Sequence, residues 1–197
     1  MRIARRQVLR AIASVGVLAS WGRLSGAGNV VLAAGEPLPA LRAGGIAVLM
    51  RHARTTAGAG DPPGYRLDDC ATQRNLDDAG RAQAERVGQW FVKNGLKPSR
   101  VRNSPWCRCR DTARLAFGRS EDWAALGNIF DRELQPAHVA EVRSFVAQLK
   151  AGELAVLVSH GVTIAALSGA HPATGEGILV RAAGSGPLEV VGRLVVA

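Results

Sequence analysis

The sequence predicts an α/β protein, a three-layer α/β/α sandwich in which helices cover both faces of a mostly parallel central sheet. Two apolar runs, Ile46–Met50 and Leu154–Val158, are continuous rather than alternating, as is typical of strands buried on both faces. Helix-like segments lie between them, and this alternation favours the α/β class. The chain has 197 residues, 47 % of them apolar, enough for one domain with a packed core.

The remaining elements follow from apolar spacing and from stop signals. The segment Asp77–Asn94 places Ala84, Val87 and Phe91 on one helical stripe and ends at Asn94-Gly95. Glycine and proline mark Gly58–Gly64 as a loop just beyond the first strand. The same reading predicts further helices at Cys107–Phe117 and Pro136–Lys150, and further strands at Arg100–Asn103, Gly177–Val180 and Leu188–Val196.

The N-terminal segment, residues 1–34, is predicted to be a twin-arginine-like export signal that is removed or disordered. Met1–Arg10 is basic, the next residues are small and apolar, and Val31–Ala34 offers a cleavage point. The pair Arg5-Arg6 is the feature that an export receptor would read. A basic amphipathic arm is the alternative. We therefore expect a single domain over residues 35–197 that is periplasmic or secreted.

Charge and hydropathy narrow the classes of partner. Residues 1–34 hold five arginines and no acidic residue, so they account for five of the nine net positive charges. The remaining net positive charge is small and suits an anionic small substrate better than a nucleic acid. Binding of a nucleic acid is therefore the least favoured of the three hypotheses for this chain, after an enzyme and a non-catalytic binding module. No apolar stretch reaches the roughly 18 residues of a membrane span, which excludes an integral channel and predicts no stable membrane anchor.

Three cysteines would experience an oxidising compartment if the chain is exported. Cys70 is expected to pair with Cys107 or with Cys109, and buried free thiols are an equal alternative. A single C-x-C pattern is weak as a metal site.

The residues that suggest chemistry follow the predicted strands directly. Arg51-His52 ends the first buried strand, and Ser159-His160 ends the second. Ligands of open α/β sheets collect at the carboxyl ends of strands, so these histidines are expected to meet. The segment Asn103–Arg108 leaves a third strand and enters a helix. Histidines and arginines without a carboxylate cluster make a poor metal site and a good phosphoryl site, since guanidinium groups match phosphoryl oxygens and imidazole is a competent nucleophile.

Four blocks of the sequence resemble the histidine phosphatase superfamily, whose fold is phosphoglycerate mutase-like. Leu49–Thr55 resembles the R-H-G/A-x-T signature of this superfamily. Leu76–Ala84 resembles its L-T/S-x-x-G-x-x-Q-A segment, which opens a helix. Ser104–Ala113 is similar to its S-P-x-x-R-x-x-x-T-A block, and Val158–Gly161 to its second-histidine motif. The order of the four blocks agrees as well, and the short chain resembles a compact exported branch.

The resemblance implies roles for individual residues. His52 would be the nucleophile that is phosphorylated and then hydrolysed, with Arg51, Arg108 and His160 binding the phosphoryl group and Thr55 lining the pocket. No cofactor or metal is implied. A general acid for the leaving oxygen is not in its usual setting, and Glu133 and Glu176 are the two candidates for it.

These observations predict an exported, metal-independent phosphatase that hydrolyses phosphomonoesters through a phosphohistidine intermediate. Its substrate would be small and phosphorylated, either a sugar phosphate or a phosphorylated protein side chain. The alternative is a non-catalytic module of the same fold that binds phosphate or another anion, or a partner, without turnover.

Overall fold

Strands and helices alternate along most of the chain in the computed structural model, which describes residues 37–119, 121–129, 135–184 and 186–196. The helices are α1 Leu38–Ala43, α2 Asp78–Lys93, α3 Cys107–Phe117, α4 Pro136–Ala147 and α5 Gly161–Ser168. The strands are β1 Ile46–Arg51, β2 Arg100–Asn103, β3 Leu154–Ser159, β4 Gly177–Arg181 and β5 Glu189–Leu194. The predicted export signal, residues 1–34, lies outside the described residues.

The strands of this region form one sheet in the order β2-β3-β1-β4-β5. β1 and β2 both run parallel to β3, whereas β4 is antiparallel to β1 and β5 is antiparallel to β4. The prediction of a mostly parallel sheet is therefore wrong: the sheet is mixed. The cause is the short return after α5. The Arg51 N–H donates to the Glu176 carbonyl at 3.0 Å, so β4 begins at the edge where β1 ends and must run back along it.

Helices cover both faces of the sheet, in agreement with the predicted three layers. Val48 and Met50 of β1 pack on one face with residues of α2 and α3, including Val87 and Phe91. The alternate β1 residues pack on the other face with α4 and α5. Because β1 and β3 are buried on both faces, their sequences are continuous apolar runs rather than alternating ones.

Local sequence explains the helix ends near the site. The Asp77 side chain accepts a hydrogen bond from the Gly80 N–H at 2.7 Å and so caps α2. α3 ends at Gly118, whose φ of 67° lies in the left-handed region that glycine adopts without strain. α4 ends at Ala147, three residues before the predicted end. Among the described residues, no helix combines the length and the apolar character that a bilayer span requires.

Candidate active site

The carboxyl ends of β1 and β3 bring two histidines together. Arg51 pairs with Ser159 in the strand register, so His52 and His160 leave neighbouring strands at the same level. The His52 N–H donates to the Ser159 carbonyl at 2.9 Å. The ring centroids of His52 and His160 are 5.5 Å apart, and each residue is only 3 % exposed. Residues separated by most of the domain along the chain thus share one buried site.

The hydrogen bond of His52 determines which ring nitrogen is available. Its Nδ1 lies 2.8 Å from the Ala53 carbonyl oxygen, which can only accept, so Nδ1 carries the proton. The lone pair is therefore on Nε2. Burial lowers the pKa of His52 to about 3, and the nearby Arg108 and Arg51 charges act in the same direction. At neutral pH the ring is an uncharged imidazole with a free Nε2.

His160 has the opposite tautomer. Its Nδ1 lies 3.4 Å from Arg108 Nη2, and a guanidinium only donates, so Nδ1 holds the lone pair. Its Nε2–H then donates to Ser104 Oγ at 2.8 Å. Burial, followed by the charge of Arg108, lowers the pKa of His160 well below its usual value. The His160 ring is therefore neutral at neutral pH.

Three arginines surround the histidines. Arg51, Arg74 and Arg108 line a cavity of about 270 Å³ together with both histidines. Within the described part of the chain, the Nε atom of each arginine is buried and has no hydrogen-bond partner. A buried donor without a partner is costly, and three guanidinium groups around one cavity favour an anionic ligand there. The other lining residues are Gly58, Ala59, Gly60, Asn128, Gly161 and Val162.

Gly161 allows Arg51 to reach the cavity. Arg51 donates through Nη1 to the Pro172 carbonyl at 3.0 Å and lies against the first residue of α5. A Cβ added at Gly161 would be 3.3 Å from Arg51 Cζ, closer than most such contacts. The glycine after His160 is thus explained by a close approach of the guanidinium to the helix backbone.

Two residues of the site, Arg74 and Asp61, were not predicted from the sequence. The Asp61 carboxylate pairs with Arg108, with Nη1–Oδ1 at 2.6 Å and Nη2–Oδ2 at 3.2 Å. It also accepts the Trp106 Nε1–H at 3.0 Å and the backbone N–H of Arg74 at 3.0 Å. The only signal in the sequence was a single acidic residue inside the Gly58–Gly64 loop. Arg74 carried no signal, because it follows no strand and belongs to none of the four blocks.

Several predicted site residues do not reach the cavity. Thr55 is not among its lining residues and instead forms an isolated antiparallel bridge with Leu76. The Glu176 carboxylate has both oxygens engaged, Oε1 with Arg193 Nη1 at 2.6 Å and Oε2 with the Ala173 N–H at 2.7 Å. Glu176 therefore does not fit the role of acid. Glu133, the other candidate, lies outside the described residues.

The cysteines divide into one disulfide and one thiol. Cys70 is bonded to Cys107, which joins the loop before α2 to the start of α3. Cys109 is free and buried, its Sγ 3.6 Å from His160 Nε2, and burial raises its pKa to about 12. The thiol is therefore neutral at physiological pH. In the ranges that the structure describes, no group of three or more His, Cys, Asp or Glu side chains is arranged to hold a metal.

Polar residues in two of the four blocks, Thr112 and Gln83, hold the chain next to the site by hydrogen bonds. Thr112 Oγ1 accepts the Ala53 N–H at 3.0 Å and donates to the Arg108 carbonyl at 2.7 Å. Gln83 of α2 accepts the Arg54 N–H at 3.0 Å and donates to the Thr174 carbonyl at 2.9 Å. These bonds hold the chain after His52 against both α2 and α3.

The histidines and arginines at the strand ends form a cationic site of the kind that suits a phosphoryl group. Residues 47–135 match the sequence model of the histidine phosphatase superfamily, branch 1. Over this segment, a little under half of its length, the chain is similar to the histidine phosphatase superfamily. No curated protein sequence is similar enough to match it.

Solved structures share the fold. The protein histidine phosphatase SixA, in complex with tungstate, superposes with a TM-score of 0.54 at 18 % identity, covering 76 % of this chain and 96 % of its own. A protein from Agrobacterium tumefaciens assigned as phosphohistidine phosphatase SixA gives 0.51 at 18 %, with coverages of 76 % and 97 %. An Escherichia coli protein assigned as an α-ribazole-5′-P phosphatase gives 0.53 at 18 %, with 77 % and 98 %. At these identities the likeness shows the fold alone.

Proposed function

We propose that the protein is an exported phosphatase that hydrolyses phosphomonoesters through a phosphohistidine at His52 and needs no metal. The observation that carries this proposal is the tautomer of His52. Its Nδ1–H donates a hydrogen bond to the Ala53 carbonyl, so Nε2 is unprotonated. His52 lines a cavity together with Arg51, Arg74 and Arg108. A nucleophile with a lone pair facing an anion site is what phosphoryl transfer to nitrogen requires.

In the first step, the arginines would bind the phosphoryl oxygens and hold phosphorus in line with His52 Nε2. The nitrogen lone pair forms the N–P bond while the bond from phosphorus to the ester oxygen breaks. Charge on the equatorial oxygens is stabilised by Arg51 and Arg108. A dianion in the cavity favours the protonated form of His160, whose Nδ1 would then give up its contact with Arg108 Nη2 and donate to a phosphoryl oxygen instead.

In the second step, water attacks phosphorus, the N–P bond breaks, its electron pair returns to His52 Nε2, and the protons of the water leave with the inorganic phosphate, which regenerates the enzyme. The departing ester oxygen of the first step needs a proton. None of the described residues that line the cavity is a carboxylate, so leaving groups that depart with little protonation are favoured. Aryl phosphates and phosphoramidates have this property.

The substrate class follows from the size and charge of the cavity. A volume of about 270 Å³ accepts a phosphoryl group with a small organic part, such as a sugar phosphate or a phosphorylated side chain. Structures of similar fold include proteins named as a protein histidine phosphatase, as a phosphohistidine phosphatase and as an α-ribazole-5′-P phosphatase. All three names are of proteins that remove a phosphoryl group.

A non-catalytic anion-binding module is the second candidate. Two observations favour it: the cavity lining described here contains no acid, and the Arg108 guanidinium already has a carboxylate partner, Asp61. The free Nε2 of His52 favours catalysis, because a module that only binds anions has no need of an aligned nucleophile.

Hydrolysis of p-nitrophenyl phosphate by wild type and by His52→Ala, with and without EDTA, separates the candidates. We expect turnover by wild type that EDTA does not change, and a loss of at least about 10³-fold in His52→Ala, because the nucleophile is removed. His138→Ala on α4, away from the cavity, is the matched control and should behave as wild type. Turnover that survives in His52→Ala contradicts the mechanism. Phosphate binding without turnover by wild type favours the module.

A further inference from the structure

The Asp61 carboxylate is a buried partner of the cavity that the mechanism above does not use. Its side chain is 2 % exposed and that of Arg108 is 1 % exposed. Four hydrogen bonds converge on its two oxygens, from both Nη atoms of Arg108, from Trp106 Nε1 and from the Arg74 N–H. A carboxylate with every lone pair in use at such depth is held rigidly.

We propose that Asp61 is a positioning residue for phosphoryl transfer, which acts through Arg108 and fastens the glycine-rich wall of the cavity. This inference rests on the proposed phosphatase function and assigns to that site a residue outside its four sequence blocks. The geometry behind it has three parts: the direction of the Arg108 guanidinium, the balance of charge, and the attachment of the loop.

Asp61 fixes the orientation of the Arg108 guanidinium. The two-pronged pair with Asp61 fixes the plane of the Arg108 guanidinium, since both Nη atoms are engaged at once. In that plane Nη2 lies 3.4 Å from His160 Nδ1. Displacement of a positioned donor by about 1 Å is enough to lower a rate by about 100-fold. Asp61 thus determines where a charge that stabilises the transition state is located relative to both histidines.

Asp61 also balances positive charge at the cavity. Arg51, Arg74 and Arg108 line the same cavity and repel one another, and Arg108 is almost fully buried. Among the described residues, Asp61 is the carboxylate that forms an ion pair with Arg108. A buried arginine that loses its partner is left as an uncompensated charge. The pair keeps the guanidinium in place before any substrate arrives, so the site does not have to reorganise during the reaction.

Asp61 also attaches the Gly58–Gly64 loop to the rest of the site. Gly58 and Gly60 line the cavity, and Asp61 follows them directly. The Arg74 guanidinium donates through Nη1 to the Gly58 carbonyl, while its own backbone N–H donates to Asp61. An added Cβ at Gly58 or Gly60 would meet no atom within 4 Å, so no side-chain packing is available to these two residues in that direction. The hydrogen bonds of Asp61 therefore anchor this wall of the cavity next to them.

Asp61 is not suited to be the missing general acid. Burial by itself would raise the pKa of its carboxyl, but the hydrogen bonds from Arg108, the Arg74 N–H and Trp106 outweigh it and hold the pKa below its usual value. An acid must carry a proton at the working pH, and this carboxyl is ionised.

A double-mutant cycle between Asp61→Asn and Arg108→Ala tests the proposal with p-nitrophenyl phosphate. We expect Asp61→Asn to lower kcat by about 10- to 100-fold, the range for residues that orient a catalytic group from behind. KM should stay within about threefold, because Arg51 and Arg74 still hold the anion in the ground state. Arg108→Ala should lose more, and adding Asp61→Asn to it should cost far less than in wild type, at most about threefold, because the group that Asp61 positions is already absent and only its contacts with the loop remain.

Folding is kept separate from positioning by two comparisons. Glu189→Gln breaks another two-pronged pair, Arg181–Glu189, which is exposed and remote from the cavity, and should leave kcat unchanged. If Asp61→Asn does not fold, Arg108→Ala is compared with the double variant, which removes the carboxylate that Arg108→Ala leaves unpaired. Activities of these two within about threefold of each other support the proposal.

The outcomes distinguish this proposal from the function on which it rests. Wild-type turnover with normal kcat in Asp61→Asn, or with losses that multiply in the double variant, overturns the positioning role and leaves the phosphatase intact. A wild-type protein without any turnover overturns both.

Discussion

Two histidines of the same site are distinguished by a single hydrogen bond each. The Ala53 carbonyl accepts a hydrogen bond from Nδ1–H of His52, whereas the Ser104 hydroxyl accepts one from Nε2–H of His160. A nucleophile and a donor can therefore be made from identical side chains, because the surrounding acceptor selects the nitrogen that stays free. Ser104 comes from the S-P block and Ala53 from the R-H block, which explains on structural grounds why both blocks are needed.

The same burial predicts a loss of stability in acid. His52 has a pKa of about 3 in the folded state and about 6.5 when unfolded, so below pH 6.5 the unfolded chain binds the extra proton. The stability present above pH 6.5 is lost as the pH falls towards 3, by about 2 kcal/mol at pH 5. Thermal unfolding followed by circular dichroism should show a steeper fall between pH 7 and pH 5 for wild type than for His52→Gln.

The control for this prediction is the alkaline range. Between pH 7.5 and 9 His52 does not change protonation, so the two proteins should depend on pH equally. Parallel curves below pH 6.5 would contradict the account of His52 as a buried neutral base.

At the scale of elements, α2 supports the chain that follows His52. Gly80 lies where the first turn of α2 meets the Arg54 backbone, and a Cβ there would collide with the Arg54 carbonyl. Three residues later, Gln83 bridges Arg54 and Thr174. The spacing of Gly and Gln-Ala in this block is thus a packing requirement, which keeps the loop after β1 close to the helix.

Gly80→Ala should therefore destabilise the protein although alanine is the better helix former. Helix propensity alone favours alanine by about 1 kcal/mol, whereas overpacking against backbone costs about 1–3 kcal/mol. We expect a net loss of stability in urea unfolding and a lower kcat, because the segment carrying His52 shifts. Gln89→Ala, at an exposed position of the same helix, is the control and should be nearly neutral. A Gly80→Ala protein more stable than wild type would show that the contact relaxes freely.

The disulfide connects the loop before α2 to the entry of α3. Cys70 and Cys107 are 37 residues apart, and closing a loop of that length in the unfolded chain is worth about 3–4 kcal/mol in the chain-entropy model. Dithiothreitol should lower Tm and reduce activity, since Arg108 follows Cys107 directly. Cys70→Ser should already have the lower Tm and should not respond further to the reductant. An identical response of both proteins would place the effect elsewhere.

At the scale of the whole molecule, the disulfide and the N-terminal sequence support the same proposal, that the protein works outside the cytoplasm. A structural disulfide is typical of oxidising compartments, and residues 1–34 have a basic, apolar and small-residue order. Replacing Arg5-Arg6 by two lysines should retain the protein in the cytoplasm, because the export receptor reads the arginine pair. Fractionation of cells followed by immunoblotting measures this, with Arg23→Lys as control. Unchanged export of the double-lysine variant would contradict the twin-arginine route.

Part of the architecture could be predicted because the signals are local. Continuous apolar runs predicted β1 and β3, and helical spacing of apolar residues predicted α2 and α3. Burial on both faces of a strand, or along one stripe of a helix, determines which consecutive residues are apolar. The direction of β4 could not be predicted. It depends on the eight-residue return after α5 and on the bond between Arg51 and Glu176, which no periodicity records.

The same division holds for the site. The sequence by itself determined that two histidines and two arginines follow buried strands or open a helix, because residue type and position along an element are local properties. Only the tertiary structure decided that Asp61 reaches Arg108 from 47 residues away, that Arg74 joins the cavity, and that Glu176 and Thr55 do not. The physical reason is that a loop's path depends on the many weak contacts of the folded chain, and these exist only after distant segments have packed.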